Sequence, residues 1–248
     1  MACITTSSGC QAPDQRARKL DAVEKLSAAI VAEKPESGIV PATVIENEAG
    51  VDVPAAVLEA AADGMGSWIN KLDVIAGASP GARFEHVTLG APYLLYTVSV
   101  QKVISKASLV DDDLVRRDVW YFPVVSDGKY IAWLKVKNGA NGWKVVGMGG
   151  ASASIGGLET ELKAKGGIVR RSIVQVTQLG LDFISLQQGS ALKASVLSGD
   201  LYPLEKASRR VPLSHEPSAA DRVATDATGM LNRIKDEAEL FEYKGVTR

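Results

Sequence analysis

Residues 120–150 read WYFPVVSDGKYIAWLKVKNGANGWKVVGMGG. Three apolar runs rich in aromatic and β-branched residues are separated by Asp127-Gly128, and then by Asn138-Gly139 and Asn141-Gly142. Such pairs supply the positive φ angles that tight hairpin turns require. The stretch therefore predicts a three-stranded antiparallel meander over residues 119–148. Three of the four tryptophans lie here and are expected to anchor the core: Trp120, Trp133 and Trp143.

Further strands and helices are predicted on both sides of this meander. Residues 84–103 and 168–197 are rich in β-branched and aromatic side chains, and both regions are expected to add strands, the last at 192–197. Residues 39–45 form either a short strand or an extended connector. Apolar residues at three- and four-residue spacing predict helices at 13–34, 52–77, 158–165 and 218–243.

A short helix is also predicted at residues 108–117. Asp111, Asp112 and Asp113 would occupy its first turn and Arg116-Arg117 its last turn, which matches the helix dipole. Three consecutive helical residues point about 100° apart, so the three aspartates are not expected to converge on a metal ion.

These elements predict an α+β fold with a central antiparallel sheet, covered on one face by the N-terminal and C-terminal helices. The chain divides into a flexible, cysteine-bearing leader at 1–13, a helical N-terminal segment at 14–78 and an antiparallel-sheet domain with a C-terminal helix at 79–248. The main boundary falls at the breaker cluster Ala78-Ser79-Pro80-Gly81.

Composition limits the classes of protein to consider. The chain has 248 residues, of which 46% are hydrophobic and 23% charged, enough to bury a core without disulfides. Its net charge of -1 argues against a nucleic-acid binder and against a polybasic membrane-surface protein. Arginine doublets at 116–117, 170–171 and 209–210 are scattered among acids and are expected to be solvated. No apolar run is long enough to predict a transmembrane span.

Both cysteines, Cys3 and Cys10, lie in the leader, and three interpretations stay open. They form part of a cytosolic tail without a role, they close a short disulfide loop, or one of them carries a lipid. Small residues precede each cysteine and a spacer-like stretch follows, as in lipoproteins. A lipid tether needs an upstream signal, because the chain as given has no charged and apolar leader. The expected location is cytoplasmic if the chain is complete and the cell envelope if a signal was removed.

The glycine-rich run at 147–157 lies between a predicted strand and a predicted helix, where a phosphate-binding loop would sit. Gly147 and Gly149 begin a dinucleotide-like pattern, but Ser152 occupies its third position. The run contains no basic residue and no Gly-Lys-Ser/Thr ending. We therefore expect a flexible loop here, and no cofactor is predicted.

His86 and His215 are the only histidines, and Asp182 is a lone acid in an apolar strand. Neighbours in a strand point to opposite faces, so His86 and Glu85 cannot act as a dyad. Asp182 is expected on a solvated face; the alternative is a buried acid with a raised pKa.

The leading hypothesis is a non-enzymatic binding or structural module. The cysteine-bearing leader and the lack of a recognisable catalytic set favour a module tethered to a bacterial cell envelope. The sequence also resembles β-meander modules of exported bacterial proteins at Gly90-Ala91-Pro92, at residues 120–123 and at Asp127-Gly128 with Gly142-Trp143. The resemblance covers about a quarter of the chain, includes no functional residue and assigns no family.

Two alternatives follow. One is a small-molecule hydrolase or other enzyme with a site near the 147–157 run, using His86, Asp182, Gly147 and Gly149. The other is a partner-binding inhibitor or chaperone-like protein, which would expose a contiguous apolar patch on one sheet face. The expected partner is a protein or small molecule, and no catalytic, cofactor or metal-binding residue is assigned.

Overall fold

The computed structural model describes residues 43–44, 53–76, 84, 86–149, 153–164, 168–188, 195–204 and 223–243. The strands are β1 (Thr43–Val44), β2 (Thr88–Leu89), β3 (Tyr93–Val98), β4 (Leu114–Ser126), β5 (Lys129–Gly139), β6 (Gly142–Gly149), β7 (Ile168–Val176), β8 (Leu181–Gln188) and β9 (Asp200–Leu204). The α-helices are α1 (Ala55–Trp68), α2 (Leu72–Ile75), α3 (Val100–Val103), α4 (Ala153–Ala164) and α5 (Ala227–Tyr243). Short 3-10 turns lie at Ile69–Lys71, Asp111–Asp113 and Val196–Ser198.

Several predicted features lie outside the described residues. They are Cys3, Cys10, the helix at 13–34, the breaker cluster at 78–81, Glu85, the doublet at 209–210 and His215.

The predicted meander is confirmed. Strands β4, β5 and β6 are consecutive and antiparallel. Asp127 and Gly128 form the first turn with φ angles of 49° and 74°, as a two-residue hairpin requires. The second turn is Ala140-Asn141, closed by the pair Gly139 and Gly142, and only Gly142 has a positive φ, of 87°.

The sheet is mixed, so the prediction of a purely antiparallel sheet is wrong at two places. β2 and β3 lie one after the other along the second edge of β4, and β3 then pairs with β7 in parallel. β8 and β9 continue from β7 in antiparallel pairs, and β1 pairs with β2 in parallel. The chain between β3 and β7 contains the whole meander and α4, a connection long enough for parallel pairing.

Helices cover both faces of the sheet, whereas a helix layer on one face was predicted. Helices α1 and α5 bury residues such as Met65 and Met230 against one face, which we call the α1–α5 face. Helix α4 covers the opposite face, the α4 face, through Ile155 and Leu158. Central strands such as β3 are buried on both faces, and one helix layer cannot achieve this.

The tryptophans belong to one sheet but not to one core. Trp120 is fully buried on the α1–α5 face, where Trp143 also packs. Trp133 is half-buried on the α4 face. Trp120, Trp133 and Trp143 therefore anchor two layers, one on each side of the meander.

The predicted helix at 108–117 is wrong. Only Asp111–Asp113 forms a 3-10 turn, and β4 begins at Leu114 because Tyr96, Thr97 and Val98 of β3 pair with its first residues. The pairing with β3 stabilises the extended conformation by more than the charge pattern stabilises a helix. Conversely, Val100–Val103 is helical inside the region predicted as strand at 84–103.

The C-terminal predictions also need correction. The described end of the strand predicted at 192–197 is a 3-10 turn, and the strand in this part of the chain is β9, which begins at Asp200. Helix α5 begins at Ala227, and the described residues 223–226 of the predicted helix are not helical. Before it, the backbone of Thr225 pairs with Leu201, and the side chain of Asp226 accepts a 2.8 Å hydrogen bond from the amide of Gly229.

Candidate functional site

The most unusual group in the described interior is a carboxylate on the α4 face. Glu159 of α4 is 2% exposed and lies against Arg171 of β7, which is also 2% exposed. Arg171 donates from Nε to Glu159 Oε1 at 2.8 Å and from Nη2 to Oε2 at 3.5 Å. The hydroxyl of Tyr130 donates to Oε2 at 2.7 Å, and that of Tyr93 donates to Oε1. We call these four residues the Glu159 cluster.

The cluster balances its own charges. An isolated buried carboxylate or guanidinium would cost several kcal/mol, but here each compensates for the other and both oxygens of Glu159 accept hydrogen bonds. Burial, and then the negative charge of Glu159, raise the pKa of Tyr93 well above its usual value. Tyr93 is therefore protonated at neutral pH and acts as a donor to the carboxylate.

Two local features place Tyr130 in the cluster. A β-bulge between β4 and β5 pairs Val124 with Ala132 but Val125 with Tyr130, which turns Tyr130 onto the α4 face. On the helix, a Cβ atom at Gly156 would lie 3.0 Å from Cγ of Tyr130, so glycine permits the close approach. The predicted flexible loop at 147–157 is therefore wrong at both ends, since Gly147 and Gly149 lie in β6 and Gly156 in α4.

Aromatic rings on the α4 face form a continuous row of contacts from the Glu159 cluster to Lys135 in the meander. The ring of Trp133 meets Tyr93 edge-on at a centroid distance of 5.1 Å and Tyr121 at 6.2 Å. The ammonium group of Lys135 lies 5.4 Å from the Tyr121 centroid, within cation–π range.

Beyond these rings, four basic residues lie on the α4 face of the meander. We call Arg117, Lys135, Lys137 and Lys144 the cationic surface. Lys137 stands directly opposite Lys144 and next to Val119, and Lys135 stands opposite Tyr121. Arg117 is two residues before Val119 on the same strand and donates from Nε to the hydroxyl of Thr97 at 2.8 Å.

The charge of the meander differs sharply from that of the whole chain. Strands β4, β5 and β6 contain a single acid, Asp118, which by alternation lies on the opposite face from Arg117. Lys137 and Lys144 form no ion pair with any residue that the structure describes. The basic residues of the three strands are Arg116, Arg117, Lys129, Lys135, Lys137 and Lys144.

The residues singled out from the sequence are not brought together. His86 is exposed and precedes β2 with a φ of 48°. Asp182 lies half-buried on β8, and its Oδ1 is buried without a hydrogen-bond partner within the described part of the chain. Gly147 and Gly149 lie on β6, and four strands separate β6 from β8. That separation is about 24 Å along the sheet.

Sequence reasoning missed the Glu159 cluster. The sequence analysis did not single out Glu159, and Arg171 belongs to a doublet that was expected to be solvated. That expectation is wrong for Arg171, which is buried beside the carboxylate. Two signals were available. The alternation of β7 places Arg171 on the same face as the buried Ile173, and Glu159 lies four residues after the buried Ile155 on one helix face.

Comparison of the chain with protein-family models, with curated proteins and with solved structures finds no match. Among the described residues, no group of three or more histidine, cysteine, aspartate or glutamate side chains is placed to hold a metal ion. The helices that the structure describes include none with the length and apolar character needed to cross a membrane.

Proposed function

We propose that this protein is a non-enzymatic binding module whose cationic surface docks an acidic segment of a partner protein. The observation that carries the proposal is the direct cross-strand pair of Lys137 and Lys144. Like charges directly opposite each other in a sheet are destabilising. Carboxylates of an acidic partner would offset this repulsion between the two lysines. They would also bind to ammonium groups that the strand pairing already holds close together.

The surroundings of the cationic surface favour a protein partner over a nucleic acid. Val115 and Val146 of the meander are 45% and 44% exposed, and Tyr121 is half-buried beside Lys135. Apolar and aromatic groups among cations suit a segment that combines carboxylates with apolar side chains. The net charge of -1 gives the whole molecule no broad positive field for a phosphate backbone.

Fluorescence anisotropy with a labelled peptide of alternating glutamate and valine tests the proposal. We expect binding that weakens as salt rises from about 0.1 M to 1 M, because the Debye length falls from about 10 Å to about 3 Å. Replacing both opposed lysines (Lys137→Gln with Lys144→Gln) should weaken binding between about 5-fold and 30-fold, since exposed ion pairs contribute up to about 1 kcal/mol each.

Lys129→Gln is the matched control, because Lys129 is an exposed lysine at the other end of β5. It should leave the affinity unchanged, and a peptide with glutamine in place of glutamate should not bind. Equal losses in the Lys129 variant and the double variant would contradict the proposal. So would a duplex DNA oligonucleotide that binds more tightly than the acidic peptide.

A lipid tether at Cys3 or Cys10, and with it a bacterial cell-envelope location, stays part of this proposal on the leader composition alone. Intact-mass spectrometry of the native protein should show an acyl adduct on one of the two cysteines. An unmodified Met1 with both thiols free would contradict the tether but not the binding surface.

A further inference from the structure

The geometry points to a carboxylate-binding site on the sheet itself, formed by Arg171, Tyr93 and Tyr130. Helix α4 fills this site with its own Glu159, and an external carboxylate can take its place when α4 moves away. The ligand class is a small carboxylic acid with an apolar body. This site is distinct from the cationic surface and does not depend on the proposed function.

The three donors to Glu159 that the structure describes all belong to the sheet. Tyr93, Tyr130 and Arg171 lie on β3, β5 and β7, respectively. Leu94 pairs with Ser172, so the residues before them, Tyr93 and Arg171, are neighbours on the same face. The strand ladders therefore hold these donors in place whether or not a carboxylate is present, and the planar fork of Arg171 suits a carboxylate.

Helix α4 meets the sheet through few side chains in its described part, residues 155–160. Its described side chains that are buried are Ile155, Leu158 and Glu159. The adjacent glycines Gly156 and Gly157 lower helix propensity by about 2 kcal/mol relative to alanine. Within residues 155–160, the helix is thus held by two aliphatic side chains and by one carboxylate that another carboxylate can imitate.

The part of the sheet that α4 covers indicates which chemical group the ligand carries next to its carboxylate. Around the donors lie the apolar side chains of Leu95, Ile173 and Ile184, each 6% exposed or less, with the ring of Trp133 at the edge. A carboxylate attached to an aromatic or alkyl group would place its charge at Arg171 and its body on these side chains, as Glu159, Ile155 and Leu158 do.

Chemical rescue of the Glu159→Ala variant tests the site with 3-phenylpropionate as the probe. Denaturant unfolding is measured with this carboxylate, with the uncharged 3-phenylpropionamide, and with sodium chloride at equal ionic strength. At ten times its dissociation constant, the carboxylate should raise the folded-to-unfolded ratio about elevenfold. The amide and the chloride should raise it much less. The double variant Glu159→Ala with Arg171→Met should show no preference for the carboxylate.

Hydrogen exchange of the unaltered protein provides a second measurement that does not require the variant to fold. With 3-phenylpropionate present, amides of α4 should exchange faster while those of β3 and β7 should not, because the ligand replaces the helix on an intact sheet. Rescue by the carboxylate and amide alike, or α4 exchange that the carboxylate leaves unchanged, would overturn the inference.

Discussion

At the scale of single residues, Glu159 determines how α4 meets the sheet. Its carboxylate is out of reach of bulk water, and the guanidinium of Arg171 with two tyrosine hydroxyls replaces the lost solvation. Removing the charge of one partner in such a pair leaves the other buried and uncompensated.

Glu159→Gln should therefore lower the free energy of unfolding by about 3–5 kcal/mol, because it keeps the shape but removes the carboxylate charge that faces the buried guanidinium of Arg171. Urea unfolding followed by circular dichroism measures the loss. Glu59→Gln makes the same chemical change at an exposed position of α1 and should alter stability by less than about 0.5 kcal/mol. Similar losses in both variants would show that Glu159 and Arg171 do not form a buried pair.

Asp113 forms a second buried charge, at the start of β4. Its carboxylate accepts 2.5 Å and 3.1 Å hydrogen bonds from Lys106 Nζ and from the amide of Val110, and Lys102 Nζ lies 3.8 Å away. Burial alone would raise the pKa of Asp113. The hydrogen bonds and the two lysine charges lower that pKa by more, to below its ordinary value of 3.8.

Because the pKa of Asp113 is lowered on folding, its stabilising contribution should be complete above about pH 4 and should disappear as the pH falls through the folded-state pKa. The unfolding free energies of the unaltered protein and of Asp113→Asn, measured from pH 7 to about pH 2, should converge only at the acidic end. Asp112→Asn, at the exposed neighbour, should show a constant difference. A difference for Asp113→Asn that grows on acidification would contradict the assignment.

At the scale of elements, helix α1 approaches β6 at a single glycine. A Cβ atom at Gly64 would overlap the side chain of Val145 and come within 2.6 Å of its Cβ, whereas one at Gly66 would meet nothing within 4 Å. The structure shows a close contact at Gly64 and a continuous helix.

Gly64→Ala should therefore destabilise the protein by about 1–3 kcal/mol through overpacking against β6. Gly66→Ala should stabilise it by up to about 1 kcal/mol, because alanine is the better helix former and finds open space. The urea concentrations at the unfolding midpoints of the two variants, compared with that of the unaltered protein, measure both changes in stability. Shifts of equal sign would show that helix propensity, and not the contact with β6, governs both positions.

The elements also show what local sequence cannot reveal. The turn residues Asp127-Gly128 predicted the first hairpin of the meander because their backbone preference is local. The β-bulge that turns Tyr130 toward Glu159 has no local signature, since strict alternation from Ala132 would place Tyr130 on the α1–α5 face. The strand at Leu114 was likewise missed because its partner, β3, lies earlier in the chain.

At the scale of the whole molecule, charge is segregated while the total stays near zero. Strands β4 to β6 hold a single acid, Asp118, among six basic residues, and the chain as a whole has a net charge of -1. The net charge of the chain therefore gave no indication of the cationic surface. The strand register was needed to show that Lys137 and Lys144 face each other. The α+β class followed from periodicity, but the parallel pairing of β3 with β7 required tertiary information.

If Lys137 and Lys144 repel each other, Lys144→Glu should stabilise the free protein. The gain should be about 0.2–1 kcal/mol at low salt, because it converts the like-charge pair into an opposite-charge pair. The gain should shrink in about 1 M salt, where the Debye length is about 3 Å. Thermal unfolding at the two salt concentrations measures it. A destabilised variant at low salt would show that the lysines are kept apart in the free protein.

The most direct test of the binding surface is an NMR titration of the isotope-labelled protein with the acidic peptide. Chemical-shift changes should concentrate at the amides of Arg117, Lys135, Lys137 and Lys144, and should be absent from the hairpin turn at Asp127-Gly128. Changes on helices α1 and α5 in place of the meander, or no changes at peptide saturation, would contradict the account.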